Sequence, residues 1–160
     1  MEAIPLSNRT RAELVAAVAT AARRHHAAYT LFNQAMAERL GLHPTDLQCV
    51  SLLGLEPGPH TIGEIAKLTG LTAGAATRLV DRLEKAGLAE RRPDAHDRRK
   101  MLVSLTSQRS PEVDAAWETP GRAFNQALDG FADDELVTIQ RYLQRTTEVG
   151  NEQTARLRQS

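Results

Sequence analysis

Between residues 8 and 40, apolar and small residues recur at Leu14, Val18, Ala21, Ala28, Phe32 and Ala35, about 3.5 residues apart. A second line runs through Val15, Ala22, Tyr29, Met36 and Leu40. Two such lines are too wide for a helix with one buried side. The spacing therefore predicts a long scaffold or dimer helix, ended by Gly41 as a C′ residue. His43-Pro44 opens a second helix, with Asp46 near its positive end and Leu47, Val50, Leu53 and Leu55 as its buried side. Glu56-Pro57-Gly58-Pro59 stops it.

Thr61-Ile62-Gly63-Glu64 is a capping box, so a third helix starts there and packs through Ile62, Ile65, Ala66 and Leu68. Gly70 permits a tight turn and Leu71 anchors it. Thr72 caps a fourth helix that runs to about Lys85 and closes at Gly87. Two short runs follow, Leu88 to Arg92 and Met101 to Thr106. In the second, Met101, Val103 and Leu105 alternate with Leu102, Ser104 and Thr106, the period of a strand. The pair predicts a two-stranded hairpin with a long charged tip. Residues 107 to 130 are helical in composition, but Pro120-Gly121 predicts a kink or a break. Asp133-Asp134-Glu135 opens a last helix on Leu136, Ile139 and Leu143, which then frays into a polar tail.

These elements divide the chain into a helical dimerisation region, residues 1–42 and 107–160, and a winged helix-turn-helix over 43–106. The expected fold is mainly α with a small β-hairpin wing. The 160 residues, 41% hydrophobic and 25% charged, suit one globular domain with an added scaffold. No apolar run approaches the ~18 residues of a membrane span, and the N-terminus has no signal-peptide core. The lone Cys49 cannot form an internal disulfide, which fits a reducing cytoplasm.

The net charge of zero does not by itself favour nucleic acid. Its distribution does. Residues 61–106 carry nine Lys/Arg against six Asp/Glu, and the remainder eleven against fourteen, so a basic segment sits on an acidic scaffold. The six aromatics, Tyr29, Phe32, Trp117, Phe124, Phe131 and Tyr142, all lie outside residues 45–106.

On the fourth helix, Ala76, Leu79, Val80 and Leu83 share one side. Gly74, Arg78, Asp81 and Lys85 take the other, bordered by Ala75, Thr77 and Arg82. The small first turn, Thr72 to Ala76, suits entry into a major groove about 12 Å wide. Its free N–H groups and positive dipole suit phosphate. Arg78 can reach guanine or phosphate, Thr77 a base or thymine methyl, and Arg82 the DNA backbone. At the hairpin tip, Arg99 suits a narrow minor groove, Asp97 can brace its guanidinium, and Arg98 and Lys100 can touch phosphates. A lone charged run is usually only a solvated surface; this one follows a reading helix at wing distance.

The run TRLVDRLEKAGLAERRPDAHDRRKMLVSLT resembles the MarR (multiple antibiotic resistance regulator) family, with its T-R-L-V-D-R-L-E-x-x-G-L helix, D-x-R wing and L-T ending. The resemblance implies a homodimeric transcription factor whose terminal helices form the dimer interface. It also implies repression relieved by a small, often phenolic, ligand or by oxidation. Asp97 and Arg99 then take the wing roles and Thr72 through Arg78 the major-groove roles. The chain departs from the family pattern in its Ala-Gly-Ala-Ala first turn, in Ser107 to Pro111, and in Pro120-Gly121.

His25, Tyr29, Phe32 and Trp117 are candidate effector-cavity residues, with packing as the plainer role for each. At least one of His25 and His26 is expected to be partly buried. Cys49 lacks nearby positive charge, so packing outweighs a redox switch. No zinc spacing, P-loop, Gly-rich dinucleotide turn, H-E-x-x-H or G-x-S-x-G occurs, so neither a metal or other cofactor nor an enzyme is expected. The remaining alternatives are a redox regulator using Cys49 and a winged helix that binds protein instead of DNA. The latter would not need Arg78 with Asp97 and Arg99.

Overall fold

The computed structural model describes residues 9–56, 58–97, 99–106 and 111–159. In chain order the elements are α1 (Arg11–Arg39), α2 (Pro44–Leu53), β1 (His60–Thr61), α3 (Ile62–Thr69), α4 (Ala73–Lys85), β2 (Ala89–Pro93), β3 (Met101–Leu105), α5 (Pro111–Gln126) and α6 (Asp133–Gln159). They form two compact units, Met1–Ala116 and Trp117–Ser160. No helix among the described residues is long and apolar enough to cross a membrane.

In the first unit, local chemistry sets the helix starts. Thr10 and Glu13 cap α1 reciprocally, its backbone N–H donating to Glu13 at 2.7 Å, so α1 begins three residues later than its apolar pattern suggests. His43 caps α2, with Pro44 in the first turn. Thr61 and Glu64 cap α3 in the same reciprocal way. Three hydrogen bonds from Thr61's N–H and hydroxyl, and from Glu64's own N–H, close this box, and those to the Glu64 carboxylate hold its pKa below the usual value. Gly70, at φ 73°, makes the left-handed step between α3 and α4. Thr72 then caps α4 by accepting the Ala75 N–H at 3.3 Å.

Leu47, Ile65, Leu79, Val80, Leu83 and Val103 are fully or almost fully buried and form the core of this unit. They come from α2, α3, α4 and β3, so the core welds the helix-turn-helix to the sheet. Leu55, expected on the buried side of α2, is 81% exposed because the helix ends at Leu53, before the stripe reaches it.

The expected hairpin of β2 and β3 forms the wing, and a short third strand, β1, joins it. Their order is β1-β3-β2, all antiparallel, with His60 opposite Val103 and Ala89 opposite Leu105. A strand of two residues shows no alternation, so only its pairing with β3 reveals β1. Of the alternating set in β3, Val103 alone is fully buried, while Met101 is exposed at the outer end.

α5, which begins in the first unit, stays helical through Pro120 to Gln126, so the chain does not break there. Proline removes one helix bond, and the bonds on either side suffice to carry the helix across. α6 continues to Gln159 instead of fraying. Its polar tail is rich in Glu, Gln and Arg, all good helix formers, and includes an Arg145–Glu148 pair at 2.9 Å. Glu135 accepts the Ala132 N–H at 2.8 Å and so closes the start of α6.

Candidate nucleic-acid interface

The burial of Ala76, Leu79, Val80 and Leu83 fixes which side of α4 faces outward. Thr72, Gly74, Thr77, Arg78, Asp81, Arg82 and Lys85 are exposed on the other side, with Ala75 half-buried at its edge. The Arg78 side chain lies back along the first turn, its Nη1 3.9 Å from where a Cβ on Gly74 would stand. Thr77 donates its hydroxyl proton to Ala73 O at 2.9 Å, leaving its methyl and its oxygen lone pairs for outside contacts. Arg78 makes no hydrogen bond or ion pair among the described residues.

Arg82 is placed differently from expectation. Its Nε and Nη2 donate to the two carboxylate oxygens of Asp46 at 2.7 and 2.6 Å. The Asp46 side chain is 3% exposed and that of Arg82 is 50% exposed. Asp46 therefore holds α4 against α2 instead of merely answering the dipole of its own helix. The hydrogen bonds from Arg82 to Asp46 are the main cause that raises the Arg82 pKa. Removing one partner of a buried pair costs about 3–5 kcal/mol, and the half-exposed Arg82 puts this one at the lower end. The pair joins residues 36 apart in sequence, on different helices, and no local pattern announces it.

A second arginine locks the wing to the same helix. Arg91 of β2 pairs with Glu84 and, at 2.8 Å, with Asp81. It also donates to Thr77 O at 3.3 Å. Its backbone N–H donates to Glu84 at 3.1 Å. Arg91 thus ties strand to helix along two turns, a role that reading β2 as a bare strand missed. The signal was an i, i+3 acidic pair, Asp81 and Glu84, a short loop before a strand arginine.

At the wing tip, Asp94 accepts the N–H groups of His96 and Asp97 at 2.6 and 3.1 Å, which lowers its pKa. Asp97 was expected to brace the Arg99 guanidinium. Its Oδ1 instead accepts the Arg99 backbone N–H at 3.1 Å, and Lys100 Nζ stands 4.0 Å from Oδ2. The aspartate shapes the turn, because a carboxylate two residues away reaches a backbone N–H more readily than the end of a long side chain. The Arg99 side chain is exposed and carries no ion pair among the described residues. Arg98 lies outside the described residues.

Three of the four effector candidates lie on α1. His25, Tyr29 and Phe32 form a row of tilted rings, 6.1 and 5.9 Å apart, along α1. His25 and His26 are both exposed, because the apolar stripe of α1 is uncovered in the single chain. A cleft of about 480 Å³ between α1 and α2 is lined by His26 and Tyr29, with Asn33, Thr45, Gln48 and Leu52 among its other walls. Of the four candidates only Tyr29 borders it; Trp117 belongs to the second unit. Cys49 is buried at 1% exposure, and burial first, then the charge of Asp46, push its thiol up to about 11. Among the described residues, no group of His, Cys, Asp and Glu is arranged to hold a metal.

A capped helix-turn-helix with Arg78 open on its outer side, followed by an antiparallel sheet whose tip carries the exposed Arg99 side chain, defines the winged-helix class of regulators. Residues 40–100 match the sequence profile of the MarR family. The uncharacterized HTH-type transcriptional regulator YcgE of Bacillus subtilis is 36% identical over 129 residues, 81% of this chain and 83% of that protein. A MarR family protein from Bacillus stearothermophilus superposes with a TM-score of 0.65 at 24% identity, over 88% of this chain and 97% of that one. A mutant MepR of S. aureus, solved bound to an oligodeoxyribonucleotide, gives 0.51 at 17%, over 89% and 99%. The chain belongs to the MarR family, whose members here are transcriptional regulators and not enzymes.

The state of Cys49 sets one expectation. With a pKa of about 11, only roughly a thousandth of the thiol is ionised at pH 8. Native protein should resist a thiol reagent at pH 8 and react promptly once unfolded in guanidinium. Fast native labelling would return a redox role to contention.

Proposed function

We propose that the protein is a homodimeric, sequence-specific DNA-binding repressor that acts in the cytoplasm and is released by a small molecule. The observation that carries the DNA reading is the pairing of two uncommitted arginines, Arg78 on α4 and Arg99 on the wing, with a first helical turn of Gly and Ala. Other arginines nearby, Arg82 and Arg91, are held by carboxylates. A surface that leaves these two free suits a partner rich in negative charge, and DNA supplies it. A protein-binding wing would have no use for that selection. MepR, a fold neighbour, is seen on an oligodeoxyribonucleotide, which supports the same reading.

In this reading Thr72, Gly74, Ala75, Thr77 and Arg78 meet the major groove. Arg99 enters the minor groove, with Arg98 and Lys100 at phosphates and Asp97 holding the turn. The site is pseudo-palindromic, with half-sites about 34 Å apart.

The dimer follows from uncovered apolar surface. Leu14, Val15 and Val18 are exposed on α1, and Val137 and Leu143 on α6. α6 has 27 residues and buries none of them, so its packing partner is a second copy.

The effector cleft lies between α1 and α2. Thr45 and Gln48 line it, and Asp46 beside Thr45 holds α4. An occupant that shifts α2 would therefore move the recognition helix. The six polar side chains Thr30, Asn33, Gln34, Thr45, Gln48 and Ser51, with the rings of His26 and Tyr29, suit a planar, hydrogen-bonding compound such as a phenol.

Three measurements test these parts. Arg78→Ala should weaken binding to a selected genomic duplex by about 1–3 kcal/mol and relax its specificity, while Arg99→Ala weakens it with the dimer intact. Equal loss on selected and random DNA would remove base reading from Arg78, and unchanged affinity at fixed salt would remove Arg99 from the groove. Sedimentation at micromolar concentration should give a dimer; a monomer defeats the two-half-site geometry. A panel of phenolic and planar compounds should contain some that lower DNA affinity, and none doing so counts against the effector.

A further inference from the structure

Asp46 is the one charged residue buried among the described residues. Its carboxylate is saturated on one side by Arg82, through two bonds of 2.6 and 2.7 Å. Arg78 and Arg82 are four residues apart on α4, so they stand one above the other on the same side. One has no partner among the described residues and the other is neutralised. The difference comes from α2, which brings Asp46 to Arg82 and nothing to Arg78.

We infer that Asp46 withholds Arg82 from the DNA phosphates and thereby sets how much of the binding is independent of sequence. This rests on the DNA-binding reading above. A cation releases a counterion from DNA only if it brings charge that is not already balanced. Arg82 arrives balanced. To reach a phosphate with its Nε and Nη2 it would have to abandon a carboxylate that is 3% exposed, stranding a buried charge. Nη1 remains open, but the pair as a whole carries no net charge. Arg82 is thus a positioning residue: it fixes α4 on α2 so that Arg78 and the small first turn meet the groove at one angle. The buried thiol of Cys49, one turn further along α2, feels the charge of Asp46, which agrees with a carboxylate turned inward and not toward solvent.

In a chain with no net charge, one extra free cation per protomer is a large change. Freed from Asp46, Arg82 would add a phosphate contact that is the same on every sequence. Affinity for any DNA would rise and the advantage of the right site would shrink.

The test is the slope of log affinity against log salt, measured by anisotropy on a random-sequence duplex and on a duplex selected from genomic DNA. Asp46→Asn should steepen the slope by about 0.9 per protomer on both duplexes and lower the selected-to-random affinity ratio. Asp46→Asn/Arg82→Gln, which removes both charges and strands neither, should keep the wild-type slope. A slope shallower by about 0.9 per protomer in Asp46→Asn/Arg82→Gln would show that Arg82 held a phosphate all along and overturn the inference. An unchanged slope in Asp46→Asn would overturn it too. Wild-type protein that shows no salt-dependent DNA binding would overturn the DNA reading and this inference together. Wild-type binding with contrary variant slopes would overturn this inference alone.

Discussion

Ala76, Leu79, Val80 and Leu83 form one continuous buried stripe along α4, and the stripe fixes the rotation of that helix about its axis. A helix held by apolar packing alone can still slide or roll by a fraction of a turn, because the hydrophobic effect is non-directional. Two arginine clamps remove that freedom. Asp46 grips Arg82 from α2, and Arg91 grips Asp81, Glu84 and the Thr77 carbonyl from β2. Burial supplies most of the energy and the clamps supply direction. Exposed pairs such as Arg122 with Glu118 contribute at most about 1 kcal/mol and position nothing.

The same clamps sort the basic residues. In a chain with twenty cations and twenty anions, some positive charges are held by carboxylates. What counts at the outer surface is which are not. Around α4 and the wing, carboxylates engage Arg82, Arg91 and Arg92, while the Arg78 and Arg99 side chains stay open. A neutral protein can in this way present a locally positive surface without a basic composition.

Much of the fold was legible from short-range chemistry. Thr61 with Glu64, Thr72, Gly70 and Gly87 mark the ends of α3 and α4, because a cap needs only residues within one turn of each other. The period of α4 told its buried side from its outer side for the same reason. Pro120 does not break α5, because proline acts on one bond, whereas the length of a helix is set by all of them. β1 was invisible because two residues carry no period.

The sequence by itself determined the order of the helices, their caps, the outward side of α4 and the charged wing tip, all of which depend on neighbours within a few residues. It also carried enough of a family pattern to name the family. Only the tertiary structure decided the partners of the charges. Asp46 and Arg82 are 36 residues apart and meet because α2 packs on α4. Asp97 turned to the Arg99 backbone because the turn brought that N–H nearer than the guanidinium. Periodicity tells where a side chain points, but an ion pair forms only between the ends of two side chains, and the fold alone brings distant ends together.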